Sequence, residues 1–187
     1  MSRVSREQAV ENRKSVVAAA SALFRRKGLD GTGIDELMAE AGLTRGGFYG
    51  QFGSKDELAG EACTHAFDGA ERAWQDVIDG NAPGALRRLA DFYFTPKPPE
   101  WACPMATLAG DAARAPAGGP VRRAFAAGLR RLVDMVADKP RDDRALALMA
   151  AMVGAAVLRR ASDDAELPDA IEAAVLSLAA AADAGAS

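Results

Sequence analysis

LTRGGFYGQFGSK, residues 43–55, places Gly46, Gly47 and Gly50 among an arginine, a tyrosine and two phenylalanines. A glycine inside a helix costs roughly 1 kcal/mol relative to alanine. Three so close together need a purpose that outweighs helix stability. The stretch just upstream supplies the context. IDELMAEA reads as a short helix, with Asp35 and Glu36 suiting its positive N-terminal end and Ile34, Leu37 and Met38 on its buried face. Gly42 sits where a sharp turn needs positive φ, Thr44 is a good N-cap, and TRGGFYGQF follows as a second helix. The spacing predicts a helix, a glycine turn and a helix within about 18 residues.

Such a pair places its second helix in the major groove of DNA while the first crosses the backbone. Leu37, Met38, Leu43, Phe48 and Phe52 supply a small core that fixes the angle between the helices. Thr44, Arg45, Gly46, Gly47, Tyr49, Gly50 and Gln51 are left on or near the exposed side. Thr44, Tyr49 and Gln51 suit phosphate oxygens, and Arg45 suits bidentate contact with guanine. Lys55 opens the next helix, where backbone N–H groups attract anions. Glycine then has a role, because a missing side chain lets a DNA backbone come close. The same residues also fit a plainer account, with Arg45 and Lys55 as solvated charges and Tyr49 as packing.

Outward from this stretch, the chain reads as helix after helix. EQAVENRKSVVAAASALFRRKG carries Val16, Val17, Ala20, Leu23 and Phe24 on one face, with Gly28 as its stop. SKDE, with Ser54 and Glu57, is a capping-box pattern. It opens a helix whose Leu58, Ala62, Ala66, Ala70, Trp74 and Ile78 share a face, running to about residue 79. NAPG breaks it, ALRRLADFYF is a further helix, and TPKPPEWACP is a proline-rich loop or bend. Helical patterns follow in MATLAGDAARA, VRRAFAAGLRRLVDMVAD, DRALALMAAMVGAAVLRRAS and DAIEAAVLSLAAAAD, divided by PAGGP, KPRD and DDAELP. No strand pattern, internal repeat or heptad stands out, so the expected fold is all-α with about nine helices.

Composition agrees. Of 187 residues, 49% are hydrophobic, enough for a sizeable core. The apolar run ending at Leu158 is shorter than the roughly 20 residues of a membrane span, and the first residues lack a signal-peptide core. A cytoplasmic protein with no membrane partner is expected. Net charge is −3, with 9 basic against 8 acidic residues in positions 1–60, so a DNA-binding role must rest on local placement. Two cysteines and one histidine make neither a disulfide framework nor a metal set, so neither metal nor cofactor is expected. Cys63 and His65 lie two apart on one helix and project apart. His65 has no evident nucleophile and acid to complete a hydrolytic triad, and no glycine loop cradles phosphate, which argues against an enzyme.

SVVAAASALFRRKGLDGTGIDELMAEAGLTRGGFYGQFGSKDELAGEA, residues 15–62, resembles the DNA-binding domain of the tetracycline-repressor (TetR) family of transcription factors. The match lies in the AxxLFxxxG end of the first helix and in IxxLMxEAGLTxGxFYxxFxSKxEL. It covers about a quarter of the chain, and the remainder agrees in length and helix content. The resemblance implies a three-helix DNA-binding domain over residues 1–53 and a helical regulatory domain over 54–187. By it, Thr44, Arg45, Gly46, Gly47, Tyr49, Gln51 and Lys55 fall at positions that often meet DNA. Gln51 replaces a common histidine. Gly33 stands where Thr or Ser often caps the second helix, and Thr32 beside it takes that role and joins the DNA-facing set. Asp35 and Glu36 would repel phosphate unless they point away.

The resemblance further implies a homodimer on a palindromic double-stranded operator, with a small-molecule inducer resetting the spacing of the reading heads. Its last two long helices form the expected dimer surface. Leu146, Met149, Val153 and Val157 make one stripe, and Ile171, Val175 and Leu178 another; both also suit an intrachain core. Phe67, Trp74, Phe92, Trp101, Met105, Phe125 and Met135 are candidate walls of an inducer pocket, although each also suits plain core. WACPMATLAGD resembles a segment of one branch of the family. Cys103 in it is either a small buried residue or a thiol that takes part in the ligand site and senses oxidants or alkylating agents. The expected function is a repressor released from its operator by an inducer. The alternative is a helix-turn-helix regulator controlled by a protein partner or by Cys103.

Overall fold

In the computed structural model, which describes residues 6–78, 84–137 and 142–184, eight α-helices and no strand form among those residues. The ninth expected helix is the stretch after Thr44, which folds as a 3-10 turn over Arg45–Gly47. The breaks expected at NAPG and KPRD, and the end of a helix near residue 79, fall largely outside the described residues.

Helix α1, Arg6–Lys27, buries Val16, Ala20, Leu23 and Phe24. It stops at Gly28, whose φ of 76° is left-handed and whose N–H donates to the Phe24 carbonyl at 2.9 Å. Helix α2, Ile34–Glu40, buries Leu37 and Met38. Gly42 ends it with φ 71°. The Gly42 N–H donates to Ala39 at 3.0 Å and the Leu43 N–H to Met38 at 2.8 Å, the paired bonds of a Schellman stop. Any side chain at Gly42 would strain that backbone.

Helix α3, Lys55–Ile78, opens on Ser54, whose hydroxyl accepts from the Glu57 N–H at 3.1 Å. The Glu57 carboxylate returns to the Gly53 N–H at 2.9 Å, one residue further back than a capping box places it. Helices α4 (Ala85–Phe94), α5 (Pro104–Arg114), α6 (Pro120–Val136), α7 (Asp143–Ala161) and α8 (Leu167–Ala184) follow, with a 3-10 turn at Pro99–Trp101.

Packing groups the described residues into two units. The first holds 6–68 and 98–127; the second holds 69–78, 84–97, 128–137 and 142–184. In the first, α1 packs on α2, on α5 and on the Pro99–Trp101 turn. Arg25 donates to the Ala102 carbonyl at 3.4 Å. Arg122 donates to the Ala112 and Ala113 carbonyls at 3.0 and 2.9 Å, satisfying the end of α5. At Gly60 a Cβ would lie 2.8 Å from Pro120 Cβ, so the start of α6 passes α3 closer than alanine permits. This packing is why α5 groups with α1 and α2, a grouping different from a cut after residue 53.

In the second unit α7 and α8 lie along each other and α4 packs on both. Leu89, Ala90, Leu148, Met152, Ala155 and Ala179 are buried there. Asp142 caps α7 by accepting from the Arg144 N–H at 3.0 Å. Asp164 accepts from the N–H groups of Leu167 and Glu166 at 2.7 and 2.8 Å, and those two bonds hold its carboxyl below the ordinary range. None of the described helices is long and apolar enough to cross a membrane.

The start of α4 has no side-chain cap at Gly84. Asp183 of α8 takes that place, accepting from the Leu86 N–H at 3.1 Å and the Arg87 N–H at 2.9 Å. Asp183→Ala removes acceptors from two helix-end donors and is expected to cost about 1 kcal/mol. Thermal denaturation should show a midpoint roughly 2–4 °C lower; an unchanged midpoint would mean the cap contributes nothing.

Candidate nucleic-acid interface

The segment after α2 does not hold itself up as an α-helix. From Thr44 onward its bonds run mostly three residues back: Gly47 N–H to Thr44 at 3.0 Å, Phe48 to Arg45 at 3.0 Å, Gln51 to Phe48 at 2.9 Å. Glycine at 46, 47 and 50 lowers helix propensity enough for the tighter turns to win. Shape comes instead from anchoring. Phe48 and Phe52 are fully buried with ring centroids 5.6 Å apart, and Phe48 meets the Tyr49 ring edge-on at 5.1 Å. Arg13 of α1 lies over the Phe52 ring, 4.2 Å from its centroid. The same guanidinium donates to the Gln51 carbonyl and pairs with Glu61 of α3. Arg13 thus ties three elements together, a role the sequence reading missed.

Anchoring from behind leaves the front of the turn open. Thr44 occupies the N-cap position with extended dihedrals, is exposed, and makes no side-chain cap bond. Tyr49 is 66% exposed. A Cβ on Gly46 would meet nothing within 4 Å, and one on Gly50 only the Gly47 carbonyl oxygen at 3.7 Å. Neither has positive φ. The fold requires glycine at neither position, so the bare surface there has no internal structural cause. Gly47 differs slightly, since its added Cβ would touch Met38 at 3.5 Å.

Other expected DNA-facing residues are placed differently. Thr32 is buried, and its hydroxyl donates to the Gly28 carbonyl at 2.9 Å; it neither caps α2 nor reaches the surface. The cap position belongs to Gly33, without a side-chain bond, because the Gly28 turn claims the neighbouring hydroxyl. Gln51 is half-buried, with its amide oxygen unpaired inside. Lys55 folds back to the Leu29 carbonyl at 2.5 Å. Arg45 is exposed but pairs with Asp35 at 2.9 Å. Glu36 pairs with Lys27 and Glu40 with Arg26, so all three α2 carboxylates are matched by cations.

A model of "Bacterial regulatory proteins, tetR family" matches residues 16–62, the segment that carries this anchored turn. A solved TetR transcriptional regulator from Chloroflexus aurantiacus is 26% identical, superposes with a TM-score of 0.72, and covers 91% of this chain and 95% of its own. Residues 16–62 thus carry a TetR-family DNA-binding segment, and the chain as a whole is similar in fold to a TetR transcriptional regulator. Curated relatives match over shorter stretches. The regulator AcrR of Shigella flexneri is 34% identical over 61 residues, 33% of this chain and 28% of AcrR. The repressor DhaR of Mycobacterium sp. (strain GP1) is 24% identical over 81 residues, 43% of this chain and 41% of DhaR. The aligned regions therefore span less than half of these relatives' lengths.

The regulatory candidates scatter. In the first unit Phe67 and Met105 are buried, and Phe125 meets Phe67 edge-on at 5.4 Å. Trp101, expected as a pocket wall, instead stands 73% exposed at the end of its short proline-started turn. Cys103 is half-buried just before α5. In the second unit Trp74 is buried against Tyr93 at 6.3 Å, Phe92 carries Lys97 over its ring, and Met135 is half-buried. A cleft of about 290 Å³ in the first unit is lined by Leu29, Lys55, Asp111, Arg114 and Pro120 among others, and by none of these aromatic candidates. Asp111 in it is buried and accepts from Arg114 at 2.7 Å.

Of the expected dimer stripes, Met149 and Val175 are buried within the chain, because α7 and α8 turn those positions toward each other and α4. Leu146, Val157 and Leu178 are exposed at 42%, 43% and 43%, and Val153 and Ile171 are half-buried. Among the described residues no group of three His, Cys, Asp or Glu side chains gathers at metal-binding distance.

Burial pushes the Cys63 thiol up to about 12. The thiolate is the reactive form, so Cys63 should resist disulfide reagents near pH 8. Ellman titration is expected to count no more than one thiol per native chain and both after guanidinium. Two fast native thiols would contradict the burial.

Proposed function

We propose that this chain is a DNA-binding transcriptional repressor, in which residues 1–53 read an operator and 54–187 regulate and dimerise. The observation that carries this reading is the open front of the Thr44–Gln51 turn. Thr44, Arg45 and Tyr49 surround glycines whose missing side chains the fold does not need. Close approach of a phosphate backbone gives those glycines a cause, and the hydroxyls and guanidinium supply donors for phosphate and guanine. The TetR-family match over residues 16–62 supports the same reading. A protein that binds an operator works in the cytoplasm of a bacterium and needs no catalytic centre.

The dimer is proposed on the outward face of α7 and α8, where Leu146, Val157 and Leu178 leave apolar area in water. Two copies joined there would present two reading turns, and a palindromic operator is the matching target. Half-sites of such dimers stand roughly 34–36 Å apart. A small-molecule inducer that prefers another spacing would release the DNA through its differential affinity for the two states.

In a gel shift against the palindrome recovered from a random duplex library, Tyr49→Ala should weaken binding on all sequences. Lys55 keeps its positive charge while donating to the neutral Leu29 carbonyl, so Lys55→Ala should do the same and lower the salt slope by up to about one. Arg45→Ala should cost about 1–3 kcal/mol at one base pair and relax preference there. Unchanged affinity in all three variants would remove the DNA-reading assignment. For the dimer, Val157→Glu with Leu178→Glu should leave a folded monomer by light scattering. A dimer that survives both charges places the interface elsewhere.

A further inference from the structure

Arg45 is the one arginine of the exposed reading turn, and it is not free. Its Nη1 donates to Oδ2 of Asp35 at 2.9 Å, across from the first turn of α2. Both side chains are about two-thirds exposed, at 66% and 68%, so the pair contributes little to folding. Its consequence lies in what the remaining donors can reach. A guanidinium presents five N–H groups in a planar fork. With Nη1 engaged, the Nε–Nη2 edge stays open, and one such edge suffices for the paired N7 and O6 acceptors of guanine.

We propose that Asp35 is a specificity-determining residue, holding Arg45 by one nitrogen so that it serves guanine while being a poor partner for backbone phosphate. The inference rests on the DNA-reading assignment above. Two physical effects act together. Fixing a long side chain before binding reduces the rotamer entropy lost when the fork meets a base. A carboxylate beside the guanidinium also cancels its charge, and charge is what drives sequence-independent attachment to phosphate.

The surroundings make one such charge count. Positions 1–60 carry only one more basic than acidic residue, 9 against 8. Around the reading turn Lys27 and Arg26 pair with Glu36 and Glu40, Arg13 pairs with Glu61, and Lys55 is bound to the Leu29 carbonyl. Freeing Arg45 from Asp35 would therefore restore a mobile cation to a surface whose other nearby cations are engaged.

The test compares wild type, Asp35→Asn, Asp35→Ala and Asp35→Glu on the selected palindrome and on a scrambled duplex of equal length, across a salt series. Removing the carboxylate charge should tighten binding to the scrambled duplex about threefold to tenfold at low salt and steepen its salt slope by about one. The palindrome should not gain in step, so the ratio of palindrome to scrambled affinity should fall about fivefold or more. Asp35→Glu, which keeps a carboxylate within reach, should restore most of that ratio. In an Arg45→Ala background, Asp35→Ala should change neither slope nor ratio.

An unchanged ratio in Asp35→Asn and Asp35→Ala overturns the proposal, as does an equal gain on both duplexes. Persistence of the effect without Arg45 also overturns it, since Asp35 would then act by repelling phosphate directly. These failures occur in a wild-type protein that binds the palindrome. A wild type that binds no duplex removes the DNA-reading assignment itself, and the role of Asp35 with it.

Discussion

Arg13 over the Phe52 ring, 4.2 Å from its centroid, is the contact on which the exposed turn depends. A segment with three glycines and mostly three-residue turns has weak internal support. Its position must be imposed from outside. Phe48 and Phe52 impose it by burial, and Arg13 by stacking on Phe52 while donating to the Gln51 carbonyl and pairing with Glu61. The same arrangement lets the front of the turn be bare, because nothing on that side is needed to hold it in place.

Electrostatics follow a similar division. The chain is acidic overall at −3, and α2 carries three carboxylates next to the exposed turn. Each of those carboxylates is matched with a cation from α1 or from the turn. Exposed pairs of this kind contribute at most about 1 kcal/mol to stability. Their larger effect is on the field around the turn, where they leave hydrogen-bonding geometry more prominent than bulk charge.

The second unit is built by different means. Its α7 and α8 are rich in alanine, and small side chains let these helices lie close along each other with α4 across them. Met149 and Val175 are buried within the chain, while Leu146, Val157 and Leu178 stay exposed. Polar side chains then secure the ends: Asp142 for α7, Asp164 for α8, and Asp183 reaching from α8 to the open N-terminus of α4.

Much of this was legible in residues 15–62 because the signals there are local. Apolar spacing marks α1 and α2, Gly28 and Gly42 mark left-handed stops, and Ser54 with Glu57 marks the start of α3. Family likeness rests on the same short-range pattern. What the sequence did not reveal involves partners distant along the chain or the choice between two close hydrogen-bond geometries. Thr32 looked like a surface cap, yet the Gly28 carbonyl turns its hydroxyl inward. Trp101 looked like a pocket wall, yet its short turn leaves it in water. Periodicity told which residues of α7 and α8 are apolar but not which of them face their own chain, because both faces carry hydrophobic side chains. The sequence by itself determined eight of the nine expected helices, the stops at Gly28 and Gly42, and the family likeness of residues 15–62. Only the tertiary structure decided which cations are already paired, and which apolar residues stay exposed, since both depend on groups brought together by folding.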